Sequence, residues 1–249
     1  MENSTPLASE LPPDMSDMPD MHGSGLEQCI QAVLAVARRP SRATFATWMR
    51  VVEPVWIPRL LVVVIALNML TGLASMAVST LIAKPRASPV HYLFGAPSLV
   101  DRFIFALIIF PLIDLIWLAL AVLGAATLKP TGQEKVSIRT RAREILRPYL
   151  LAAIVTALVS LVINEPVTAL QISGAGQIPF VAILASVVSL ATLIYSLVVE
   201  LNALAAGSGV SRWALIIVYV LAAIVGGIIV VFGLGALLSL VGIHLPVMF

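Results

Sequence analysis

The chain is 249 residues long, 60% hydrophobic and only 11% charged, with a formal net charge of +2. Soluble domains carry about 25% charged residues, so a water-soluble fold of this length could not cover its apolar surface, and lipid must be the solvent. The single cysteine, Cys29, excludes an intrachain disulfide and a cysteine-based metal cluster. It is expected as an ordinary small apolar residue on a helix.

Residues 1–23 are rich in Pro, Met, Ser and Asp. The acids Glu2, Glu10, Asp14, Asp17, Asp20 and Glu27 lie in a stretch without Lys or Arg. This composition predicts a disordered acidic tail. With no basic start and no apolar h-region, the first apolar span is expected to act as the internal signal. Ser24 and Glu27 have the spacing of a capping box. Beyond them Leu26, Ile30, Val33, Leu34 and Ala37 recur at helical spacing. Pro40 ends this helix, and Ser41 is placed to cap a second one carrying Phe45, Trp48, Met49 and Val52 on one face, with Arg38, Arg39, Arg42 and Arg50 around it. Such a helix either lies in the headgroup plane, basic groups toward anionic lipid, or packs on the protein's own loops.

Five apolar runs follow, at about 57–82, 103–128, 149–170, 179–205 and 213–241. Each is long enough for a bilayer core of about 30 Å at about 1.5 Å per residue. Trp48 and Trp56 stand where an aromatic belt is expected. With the N-terminus inside, twelve basic residues fall on the cytoplasmic side and three (Lys84, Arg86, Arg102) on the other. That bias predicts N-in, C-out. The fold class is therefore all-α: a polytopic membrane bundle of about five transmembrane helices in residues 57–249, preceded by amphipathic cytoplasmic or interfacial helices in residues 24–56.

The central basic stretch, 129–148, sets this orientation. Ile138, Ala142, Ile145, Leu146 and Tyr149 repeat at helical spacing beside Arg139, Arg141, Arg143 and Arg147. This is a basic amphipathic helix running into the third span. It is either a topology signal alone or a surface for anionic headgroups or an acidic partner, each surface Arg contributing about 1 kcal/mol.

Asp114 lies mid-way along the second run, where a carboxylate costs about 2.5–3.5 kcal/mol to insert. It is either a proton or cation site, or a buried polar anchor bonded to Asn68 of the first span or to a carbonyl freed at a Pro111 kink. Asn164 and Glu165 form a second polar cluster, and Pro166 favours a helix break there. Glu200 is expected to pair with Arg212 across the turn between the fourth and fifth runs. In the fifth run Ala222, Ala223, Gly226 and Gly227 make overlapping small-xxx-small pairs, suited to packing within the protein or to a homodimer face. The three histidines have no metal-ligand spacing, and no nucleotide-binding loop or activated nucleophile is present. No catalytic residue, metal, cofactor or nucleic-acid partner is expected. Gly207-Ser208-Gly209 resembles a serine nucleophile turn only in outline, with no intramembrane histidine to activate it.

Three stretches resemble prokaryotic members of the Yip family, whose relatives interact with Ypt/Rab GTPases. They are Ala37-Arg-Arg-Pro-Ser-Arg-Ala-Thr-Phe45 with Pro54-Val-Trp-Ile-Pro58, then Gly132 to Pro148, then Val199-Glu-Leu-Asn202 to Ser211-Arg-Trp-Ala214. The resemblance implies five spans, a cytoplasmic N-terminus and no catalytic residues. The acidic aromatic motif of the eukaryotic trafficking members is absent. The expected function is a non-enzymatic scaffold, membrane organiser or accessory subunit in the bacterial cytoplasmic membrane, touching anionic lipid and other membrane subunits or a second copy. The alternative is a small-solute or ion carrier using Asp114.

Overall fold

Backbone in lipid must satisfy its own hydrogen bonds, and among the described residues every regular element is helical. The computed structural model describes residues 25–51, 53–81, 99–128 and 136–234. The expected acidic tail, the Ser24 cap, nearly all of the 83–102 connection, residues 129–135 of the basic stretch and residues 235–249 lie outside them.

Helix α1 (Gly25–Arg38) and helix α2 (Arg42–Val51) form a hairpin turned at Pro40. Ser41 caps α2 as expected, its Oγ accepting from the Thr44 N–H at 3.1 Å. A 3-10 turn, Pro54–Trp56, leads into α3 (Ile57–Leu81). The second apolar run is α4 (Leu99–Ile104), a π turn (Phe105–Ile109) and α5 (Phe110–Thr127). The third is α6 (Ile138–Val159), a π turn (Ser160–Asn164) and α7 (Glu165–Ile172). Then come α8 (Pro179–Ser208) and α9 (Arg212–Ile228), the latter extended by a π turn to Leu234.

The product is an all-α polytopic membrane bundle. Four helical runs, Pro54–Val78, Arg102–Thr127, Ile138–Ile172 and Pro179–Ser208, are long and apolar enough to cross a membrane. The fifth apolar helix, α9, is shorter at 17 residues.

Pro111 and Pro166 each sit just after a π turn. Phe110 N–H bonds to the Phe105 carbonyl, directly before Pro111, and Glu165 N–H bonds to the Ser160 carbonyl, directly before Pro166. A proline has no N–H and crowds the carbonyl four residues back. The wider π turn absorbs this by shifting the bonding by one residue. The break expected at Pro166 therefore does not occur, and helix runs on from Ile138 to Ile172.

The third run is the centre of the bundle, its most apolar stretch being more buried than that of any of the other three. Its residues Tyr149, Leu150, Leu151, Ala152 and Val155 fill the core that α3, α5 and α8 enclose. Close backbone approaches fix these crossings. A Cβ on Gly72 of α3 would collide with the Ala106 carbonyl in the first π turn. At Gly207 of α8 it would stand 2.6 Å from Ile145 Cα of α6. Gly209, at φ 70°, ends α8 in the left-handed conformation that glycine adopts without penalty. Ser208 Oγ only accepts from the Val210 N–H at 3.3 Å within this turn.

The hairpin is part of the core. Phe45 is fully buried and Trp48 is 8% exposed, with α2 against α8 and α6. Of the two placements open for this helix, packing on the protein is the one found. The reason is direct: Phe45 and Trp48 fill the gap where α6 and α8 extend side by side.

Candidate functional site

The fourth run reads Leu197-Val-Val-Glu200-Leu-Asn-Ala, and one helical turn of it points polar groups in two directions. Glu200 faces α6 and α9. Its Oε2 accepts hydrogen bonds from the Tyr149 hydroxyl at 2.9 Å and the Tyr219 hydroxyl at 2.7 Å. The predicted Glu200–Arg212 pair is not formed. Glu200 lies eight residues before the end of α8, about 12 Å down its axis, and Arg212 begins α9 exposed to solvent. Two hydroxyl donors in the core replace the cation.

Asp114 of α5 lies within electrostatic range of Glu200 and Tyr149, though no hydrogen bond joins it to either. Three residues on, Trp117 meets Tyr219 edge-on, ring centroids 5.4 Å apart at 78°. Gly226, two turns beyond Tyr219, lies against that indole: a Cβ there would stand in ordinary contact, 3.4 Å from Trp117 Cε3. The site thus draws on α5, α6, α8 and α9 at once. The aromatic pair adds about 0.5–1.5 kcal/mol beyond its buried area.

The other expected polar residues are elsewhere. Asn68 is nearly buried, but no hydrogen bond joins it to Asp114. Asn164 and Glu165 follow Tyr149 by fifteen and sixteen residues, more than 20 Å along the same helix, and α7 packs on α3 and α8. There Glu165 Oε2 is buried without a hydrogen-bond partner. Of the small residues, Ala222 and Gly226 face inward, whereas Gly227 has no atom within 4 Å of where its Cβ would stand. Packing within the protein therefore accounts for the Ala222–Gly226 pair, and Ala223 is half-buried beside it.

Residues on the other side of α8 hold the hairpin. The Tyr195 hydroxyl donates to the Ala37 carbonyl at 2.7 Å, and Asn202 Nδ2 donates to the Pro40 carbonyl at 2.7 Å. These carbonyls end α1 and turn the hairpin, where the helix supplies no internal donor. Arg147 reaches the Met49 carbonyl near the end of α2 at 3.4 Å. Asn202 is expected to matter most, because its removal leaves the Pro40 carbonyl unsatisfied in the core at about 1–3 kcal/mol. Asn202→Ala together with Tyr195→Phe should speed tryptic cleavage after Arg38 and Arg42, whereas the Arg39–Pro40 bond is not a trypsin site. Unchanged cleavage would show that packing of Phe45 and Trp48 alone holds the hairpin.

The basic stretch divides in the same way. Arg141 donates to the Leu128 carbonyl, closing the end of α5, and Arg147 serves α2. Arg139 and Arg143 are exposed. Ser137 caps the helix, its Oγ accepting from the Thr140 N–H at 3.2 Å. Cys29 is buried in α1, and burial pushes its thiol up, only partly offset by the nearby Arg59 guanidinium. It behaves as the small core residue expected. Comparison with known proteins finds no matching family model, no matching curated protein and no matching solved structure.

Proposed function

We propose that this integral membrane protein is a non-enzymatic scaffold or accessory subunit of a larger membrane complex, as its resemblance to the Yip family implies. One observation carries the reading: the hairpin that precedes the first span is fastened to the spans by Tyr195, Asn202 and Arg147. It forms a fixed platform next to the outward Arg139 and Arg143. Fixed basic groups beside a bilayer suit anionic headgroups or the acidic face of a membrane partner. The charge bias across the spans supports placing this end in the cytoplasm of a bacterial cell, with the C-terminus outside.

A second reading, a proton or cation carrier, is favoured by the Asp114–Glu200 juxtaposition, since intramembrane carboxylates commonly mark ion pathways. Flux separates the two. In vesicles that hold a pH or potassium gradient, the scaffold reading expects wild type and Asp114→Asn to dissipate it at the same rate. A rate lost in folded Asp114→Asn makes the protein a carrier.

A further inference from the structure

Helix α1 carries apolar residues over more than half its circumference. One part, Cys29, Ala32 and Val36, packs on α6. The adjoining part, Leu26, Ile30 and Leu34, repeats every four residues and is turned away from the protein, 63%, 53% and 49% exposed. A helix belonging wholly to water would not leave such a stripe outward.

The two ends of α1 fix its depth. At its start, Gly25 lies flush on the Trp56 indole, at the mouth of the first span. At its end, the Ala37 carbonyl is bonded to Tyr195 of the fourth. That span is 30 residues, Pro179–Ser208, or about 45 Å, against a hydrocarbon core of about 30 Å. Tyr195 stands thirteen residues, about 20 Å, before its end. Even with all of the excess length projecting on this side, Tyr195 remains at the edge of the hydrocarbon. Arg38 and Arg39, both exposed, follow at the headgroup end of the stripe.

We propose that α1 is an in-plane membrane helix, with Leu26, Ile30 and Leu34 immersed in the lipid of the leaflet nearest the hairpin. One shoulder of the helix packs on the bundle, the other enters the acyl boundary, and Arg38 and Arg39 meet anionic headgroups. The stripe thereby continues the lipid-facing surface of the spans. This assigns the membrane contact to α1, whereas α2 is packed against α6 and α8. It rests on the membrane placement of the bundle and is independent of the scaffold role.

The test uses the full chain in vesicles of phosphatidylcholine and phosphatidylglycerol, in a Cys29→Ala background. Ile30→Cys, Leu34→Cys and Gln31→Cys each carry a nitroxide, and collision with oxygen, which concentrates in lipid, is compared with collision with a water-soluble nickel chelate. The expected oxygen-to-nickel ratio is severalfold higher at positions 30 and 34 than at 31. Equally low ratios at all three would place the stripe in water and overturn the proposal. Exclusion of both reagents with dipolar broadening would overturn it in favour of a second copy covering the stripe. Positions 30 and 34 are read separately, so one poorly folded variant leaves the other decisive.

Discussion

Replacing Glu200 by Leu is expected to destabilise the bundle strongly, whereas Glu200→Gln should cost little. The difference follows from what the carboxyl does: one oxygen, Oε2, accepts from both Tyr149 and Tyr219. Leucine orphans two hydroxyls, of which Tyr149 is 2% exposed. Each orphaned donor costs about 1–3 kcal/mol, with values near the low end where lipid-embedded helices find substitute partners. Glutamine keeps an acceptor oxygen at the same position. The asymmetry between removing one partner and removing all of them gives a second check. Glu200→Leu with Tyr149→Phe and Tyr219→Phe should recover most of the loss, because no polar group is then left unpaired. Unfolding in mild detergent, followed by the intrinsic fluorescence of the four tryptophans, of which Trp117 lies beside the site, reads all three variants. Glu200→Leu as stable as wild type would mean that the cluster does not hold α6, α8 and α9 together.

Two glycine substitutions are expected to have opposite signs. Gly207→Leu should cost about 3 kcal/mol or more, because its Cβ would stand 2.6 Å from Ile145 Cα, 3.1 Å from the Pro148 ring and 3.3 Å from the Glu144 carbonyl. None of those atoms is the loose end of a flexible side chain. Pro148 cannot donate to Glu144, so α8 closes on the face of α6 where a helix bond is missing. Gly227→Ala meets nothing within 4 Å and should stabilise α9 by about 0.5–1 kcal/mol through helix propensity. Thermal unfolding of the two variants side by side distinguishes them. A neutral Gly207→Leu would mean that α6 and α8 can separate at no cost.

The apolar runs made the spans legible in the sequence, as their lengths alone require helices in lipid. Pro40 with Ser41 marked a helix limit that the structure keeps. Asp114 was visible because a charge in an apolar run stands out. Its surroundings were not. Tyr149 and Tyr219 approach Glu200 from residues 51 and 19 positions away, and a phenolic hydroxyl gives no charge signal to search for. Glu200 was assigned to Arg212 by nearness along the chain, although eight residues of helix separate it from the turn. Pro166 was read as a break because a π turn leaves no composition signature. The arginines of the basic stretch read as one surface, yet Arg141 and Arg147 supply donors to carbonyls near the ends of α5 and α2, so only part of the set is outward. The faces of α1 and α2 were equally ambiguous: both are amphipathic, and only tertiary packing decides which is buried.

The central claim, a fixed basic platform in a membrane complex, is tested most directly by native mass analysis after gentle extraction from the membrane. Wild-type protein is predicted to emerge with a stoichiometric partner that Arg139→Glu with Arg143→Glu releases while the bundle stays folded. A monomer, in wild type and variant alike, would contradict the account and return attention to Asp114 and Glu200.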